Sequence, residues 1–191
     1  NPERGLYKTA DGGKTWKHVL FIDEDTGMND VVIDPSDPET VYAAAYQRRR
    51  TSFGFNGGGP GSAIYKTTDG GTAWKKLTNG LPYENEFPAA TQTGRIGLAM
   101  YRRNPSLLYA IVEHANGGVF RSEDRGETWT RMSDVNPRPA YYSQIQVDPN
   151  NDKNVWVLGS PVYYSEDGGK TFDSSEVDRS EAMLEEMRRK F

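Results

Sequence analysis

Thr9-Ala-Asp-Gly-Gly-Lys-Thr-Trp16 is the first of four copies of one pattern. The others are Thr67-Thr-Asp-Gly-Gly-Thr-Ala-Trp74, Ser122-Glu-Asp-Arg-Gly-Glu-Thr-Trp129 and Ser165-Glu-Asp-Gly-Gly-Lys-Thr-Phe172. The shared form is Ser/Thr-x-Asp-x-Gly-x-Thr-Trp/Phe, and an aromatic residue precedes each copy, at Tyr7, Tyr65, Phe120 and Tyr164. The copies begin at residues 9, 67, 122 and 165. Self-similarity at such intervals marks a stacked structural repeat.

A second element recurs upstream of three copies. Val31-Val-Ile-Asp-Pro leads to Val41-Tyr-Ala-Ala-Ala, Ile96-Gly-Leu-Ala-Met leads to Leu107-Leu-Tyr-Ala-Ile-Val, and Ile145-Gln-Val-Asp-Pro leads to Val155-Trp-Val-Leu. Short β-branched or aromatic runs bounded by Asp, Asn and Pro read as strand, turn, strand. One unit therefore holds strand A (31–34), strand B (41–46), strand C (63–67) and strand D (73–78). The order repeats over 95–132 and 143–173, and residues 5–20 supply strands C and D of a preceding unit. Four-stranded units of about 40–50 residues are the blades of a β-propeller. The expected fold is all-β, a partial propeller of about three and a half antiparallel blades over residues 1–175. Closed rings have at least four blades, so the remaining blades are expected in further sequence or in a partner.

Each motif sits where strand C turns into strand D. The carboxylates of Asp11, Asp69, Asp124 and Asp167 suit acceptance of turn N–H groups. Gly13, Gly71, Gly126 and Gly169 suit a positive φ. Trp16, Trp74, Trp129 and Phe172 offer large apolar surfaces to fill the gap between blades. Four equivalent sites make a frame; catalysis needs one site.

The chain has 191 residues, a net charge of −4, 20 Gly, 11 Pro and no Cys. That length supports a real core. The acidic balance lacks the basic face of a nucleic-acid binder. No apolar run reaches the roughly 18 residues of a membrane span. The first residue is Asn1, which points to a processed or excised chain, with any signal peptide outside it. Residues 176–191 form a linker and a tail. Asp178 and Glu181 fit a capping box, and Met183, Leu184, Met187 and Phe191 share one helical face, so 179–190 is expected to be an amphipathic docking helix.

The four motifs resemble the Asp-box, or BNR repeat, of sialidases, sortilin-type receptors and secreted glycosidases. With the Asp-Pro hairpins and the segment 46–62, the chain looks most like bacterial proteins with a sortilin (VPS10)-like N-terminal propeller, often labelled glycosyl-hydrolase-like. The resemblance implies a secreted or periplasmic propeller. It implies no single activity, because the Asp-box occurs in enzymes and receptors alike.

Three irregular segments remain as candidate sites. Loop 46–62 carries Arg48, Arg49, Arg50, Phe53, Phe55 and Asn56. Its arginines suit a clamp on a carboxylate or sugar acid; alternatively they pair with local acids and the loop seals the propeller face. Segment 82–95 holds Glu84 and Glu86, an acid pair for glycoside hydrolysis or a solvated loop. Segment 137–142 brings Arg138, Tyr141 and Tyr142, as a sugar platform or as edge packing. His18 and His114 have no zinc-ligand spacing, and the Asp-rich turns at 23–27 and 148–152 lack the calcium-loop pattern. No metal or cofactor is expected, and the sialidase active site has no local signature here. The first functional reading is a non-catalytic extracytoplasmic module that binds a protein or peptide through its loop face, or a subunit of a larger assembly. The alternative is a glycoside hydrolase of the sialidase or xyloglucanase kind.

Overall fold

A computed structural model describes residues 1–85, 92–159 and 161–174, and of Glu84 and Asn85 only the backbone. The expected tail helix and Glu86 lie outside the described residues. The chain folds as β-propeller blades. A two-stranded half-blade pairs β1 (Leu6–Lys8) with β2 (Lys17–Leu20). Blade 1 has the order β3 (Thr26–Ile33), β4 (Val41–Gln47), β7 (Ile64–Thr67), β8 (Lys75–Leu77). Between β4 and β7 stands a separate hairpin, β5 (Arg49–Thr51) with β6 (Gly54–Asn56). Blade 2 runs β9 (Ile96–Met100), β10 (Leu108–Val112), β11 (Gly118–Ser122), β12 (Thr130–Ser133). Blade 3 runs β13 (Gln144–Val147), β14 (Val155–Leu158), β15 (Tyr163–Ser165), and the bridge Tyr164–Asp173 begins its fourth strand.

The carboxylate of each motif closes its turn. Asp11 accepts the Thr15 N–H at 2.9 Å and the Thr15 hydroxyl at 2.6 Å. Asp167 does the same with Thr171, at 3.0 and 2.6 Å. Asp124 holds the N–H and hydroxyl of Thr128. Ala73 leaves Asp69 only the backbone bond, at 2.9 Å. The opening hydroxyl of each copy (Thr9, Thr67, Ser122, Ser165) donates to the Asp and accepts the N–H of the second glycine. That glycine has φ of 81° at Gly126, and a Cβ there would stand 3.0 Å from Leu77 of the preceding blade. Position and conformation both demand glycine.

The residue before it also takes a positive φ, which the sequence reading missed. Gly12, Gly70 and Gly168 occupy it elsewhere, but in blade 2 it is Arg125, at φ 61°. Its carbonyl accepts the Tyr42 hydroxyl and Lys66 Nζ, each at 2.9 Å. Its guanidinium pairs at 2.9 Å with Asp34, whose side chain is 1% exposed. Arg125 thus ties blade 2 to blade 1 and compensates a conformation that L-residues avoid.

Central strands are buried on both faces because blades stack face to face. Leu108, Ala110 and Val112 of β10 join the core against blade 1, with Tyr42, Ile64, Leu77 and Trp129. Tyr109 and Ile111, pointing the other way, join the core against blade 3, with Ile145, Val155 and Val157. This is the two-residue period of a strand. The motif aromatic packs toward the preceding blade: Trp129 is 5% exposed, and Trp74 Nε1 donates to the Val19 carbonyl at 2.9 Å. Trp16 is 61% exposed.

Three variants have expected outcomes in denaturant unfolding. Trp129→Ala should cost about 3–5 kcal/mol, whereas Trp16→Ala should change stability by less than about 1 kcal/mol. Arg125→Gly should destabilise despite relieving φ, since it strands the buried Asp34 carboxylate. In acid, the Thr15 hydroxyl and N–H hold Asp11 down at about 2, below the ordinary 3.8. For Asp167, burial opposes the charge, yet the Thr171 hydroxyl and N–H prevail and its value is also about 2. Depressed carboxylates stabilise the fold above their unfolded value, and this is lost as pH falls through the folded one. Stability should therefore decline from about pH 4 to about pH 2, and Asp167→Asn should flatten part of that slope.

Candidate functional site

In a four-stranded meander the A–B and C–D turns share one end of the blade and the B–C loop lies at the other. The motif turn is tied to the A–B turn in every described blade that has both: Gly70, Arg125 and Gly168 donate N–H to the carbonyls of Glu39, Ser106 and Lys153, each at 2.9 Å. The B–C loops and the D-to-A connections therefore gather at the opposite end. Loop 46–62, the approach to Arg95 and the segment 137–142 are all such connections, and so is the stretch around Arg4.

These segments surround a depression of about 730 Å³, lined by Arg4, Arg48, Arg50, Arg95, Asn29, Tyr46, Phe55 and Tyr141, with Gly27, Met28 and Ala140 completing it. Among the described residues no carboxylate lines it. Among the described residues none of its four arginines makes an ion pair with an acid. Arg4 donates to the carbonyls of Asp25 and Arg48, which fixes it at the rim. Arg48 lies over the Phe55 ring, 5.3 Å from its centroid.

Part of the wall comes from blade strands, Gly27, Met28 and Asn29 on β3 and Tyr46 on β4, beside the loop and hairpin residues. Asn29 is the extra residue of a β-bulge in β3, between Met28 and Asp30. A bulge re-aims a side chain. Here Asn29 Nδ2 donates to the Ile96 carbonyl at 2.6 Å, and the Asp30 carboxylate accepts the Leu98 N–H at 2.9 Å. The two inner strands β3 and β9 are joined by side chains, and Asn29 Oδ1 is left buried with no partner. The Tyr46 hydroxyl and Arg95 Nε share that condition. Burial raises the Tyr46 hydroxyl above its ordinary value, with Glu113 adding to the effect, so it remains a donor. Burial also raises Glu113, against the opposing Arg95 N–H that donates to it at 2.8 Å.

The structure brings together Arg48, Arg50, Phe55 and Tyr141. It does not place the other sequence candidates in the lining. Arg49 faces Asp25 at 4.0 Å, Phe53 stands fully exposed at the hairpin tip, and Asn56 is exposed on β6. Arg138 lies over Tyr141 and Tyr142, at 5.3 and 5.9 Å, behind the rim. Asn29, Arg95 and Glu113 were missed: a bulge and a blade edge leave no local signature. Among the described residues no group of acids and histidines is arranged to hold a metal ion, and no helix is long and apolar enough to cross a membrane.

No protein-family model matches the chain. Over 160 residues it is 29% identical to the xyloglucanase Xgh74A of Acetivibrio thermocellus, covering 81% of this chain and 18% of that protein. Its fold is similar to that of the GH74 xyloglucanase from Xanthomonas campestris, with a TM-score of 0.68 at 17% identity, over 88% of this chain and 25% of that one. It is also similar to YCF48 from Cyanidioschyzon merolae, with a TM-score of 0.55 at 17% identity, over 83% of this chain and 42% of that one. The chain thus spans about a fifth of the length of the curated relative and shares its fold with propellers of unlike names.

Proposed function

We propose that this chain is the ligand-holding part of an Asp-box propeller, and that its loop-face depression binds a saccharide polymer without cutting it. The observation that carries the reading is the lining: guanidinium groups and two exposed aromatic rings, with no acid among the described residues. Hydrolysis needs two carboxyls flanking the scissile bond, about 5–10 Å apart. Aromatic rings and planar guanidinium groups suit holding a sugar chain. The likeness to named xyloglucanases supports saccharide as the ligand class. A sortilin-like relationship and an extracytoplasmic location belong to the same proposal and rest on the motif resemblance. A protein or peptide partner on this face, the first reading from sequence, is the other occupant; the likeness to named xyloglucanases is what favours saccharide here.

A second reading has one observation in its favour. Glu113 is a half-buried carboxyl raised by burial beside the depression, the state a general acid requires. The chain would then be part of a glycoside hydrolase, with a second carboxyl supplied from elsewhere.

Affinity electrophoresis against xyloglucan, polygalacturonate and carboxymethyl cellulose separates these. At least one polymer should retard the protein, Phe55→Ala with Tyr141→Ala should weaken retardation about five- to tenfold, and no reducing ends should appear. Release of reducing ends that Glu113→Gln abolishes would establish the hydrolase instead. No retardation by any of the three would refute saccharide binding.

A further inference from the structure

We propose that the half-blade β1–β2 and the inner strand β3 form a docking surface for an added β-hairpin, one that presents alternating apolar residues and sets an aromatic ring opposite Lys8. The inference concerns a different face from the saccharide reading and does not rest on it.

The blade junctions supply the comparison. Each inner strand is met by the first two strands of the blade before it: β9 by β3 and β4, and β13 by β9 and β10. β3 has no such pair beside it among the described residues, because the half-blade before it holds only strands C and D. The effect shows at matching positions. Pairing with the second strand of each blade makes Val31 the counterpart of Leu98 and Ile145, and Ile33 the counterpart of Met100. Leu98, Ile145 and Met100 are 4%, 1% and 7% exposed, whereas Val31 and Ile33 are 40% and 56% exposed. A lone exposed apolar residue is ordinary. Two on one strand, at positions the other blades bury, mark a face shaped for the same kind of neighbour.

The sheet edge agrees. In blades 1 and 2 strand C pairs on both sides, β7 with β4 and β8, and β11 with β10 and β12. Among the described residues β1 pairs with β2 alone. An unpaired edge is a template for another strand. A single added strand would pair the edge but leave β3 without an inner strand beside it. A hairpin answers both, and it continues the interface already formed twice between blades 1, 2 and 3.

The repeat also sets the chemistry of that hairpin. The residue opposite the strand C cation is aromatic: Tyr42 faces Lys66, and Tyr109 faces Arg121. Each cation lies over its ring, 5.7 and 5.5 Å from the centroid. In blade 1, Lys66 Nζ and the Tyr42 hydroxyl then both donate to the Arg125 carbonyl in the motif of the next blade. Lys8 holds the same place in the half-blade. Its Nζ donates at 3.0 Å to the carbonyl of Gly70, the counterpart of Arg125 in the second motif. The cation's half of this tie is made. A tyrosine opposite Lys8 would complete it, and a small residue opposite Tyr7, as Ala43 is opposite Tyr65, would let the strands close together.

The test adds a peptide to the intact protein. Residues 26–47, the β3–β4 pair with its own turn, serve as the probe hairpin. Fluorescence anisotropy of the labelled peptide should show saturable binding, and amide hydrogen exchange in the protein should slow at Leu6–Lys8. Tyr42→Ala in the peptide should weaken binding at least about tenfold, and it leaves the protein itself untouched. Ile33→Asp in the protein, at a position already half in water, should weaken binding as much with Tm unchanged. A shuffled peptide of the same composition should not bind. No saturable binding, equal binding of the shuffled peptide, slowed exchange elsewhere but not in β1, or an affinity that neither substitution alters would overturn the proposal. Self-association of the protein that hides Val31 and Ile33 with no peptide present would give the face to a second copy and overturn the hairpin as its occupant.

Discussion

Each blade depends on one carboxylate that captures an N–H four residues ahead. In three of the four copies it takes the threonine hydroxyl as well. This turns a loop into a rigid corner with a fixed exit direction for strand D. The backbone bond from the motif to the A–B turn then locks both turns to the same end. With four strands per blade, everything irregular is forced to the other end. The loop face is thus a consequence of corners that lie away from it.

Packing between blades makes that face stiff. β10 feeds two cores with alternate residues, so blade 2 cannot shift against one neighbour without disturbing the other. Arg125 adds a polar tie, holding the buried Asp34 carboxylate and presenting its carbonyl to Tyr42 and Lys66. Near the axis, Asn29 and Asp30 fasten β3 to β9 without a shared ladder.

The frame was legible because its signals are local and repeated. An Asp, a glycine and a tryptophan at set offsets reveal the corner, and apolar runs between Asp-Pro turns reveal the strands. Strand A proved longer than its apolar core, beginning at Thr26, because the bulge interrupts the hydrophobic pattern at Asn29. Loop 46–62 reads as irregular from its glycines, yet its middle is the hairpin β5–β6; Arg49 to Asn56 alternate as a strand pair with both faces in water, a pattern that lacks a hydrophobic side. The site was half legible. Arg48, Arg50, Phe55 and Tyr141 stand out by type and crowding, whereas Arg95, Asn29 and Tyr46 acquire meaning only when blades 1 and 2 meet.

The central claim is that the propeller corners gather one saccharide-holding face at the opposite end of the blades. A crystal structure of the protein with an oligosaccharide of the polymer that retards it tests it most directly. The account predicts saccharide density in the loop-face depression, with a ring set against Phe55 or Tyr141. Density confined to the motif rim near Asp124 and Asp167, or no saccharide density in the depression, would contradict it.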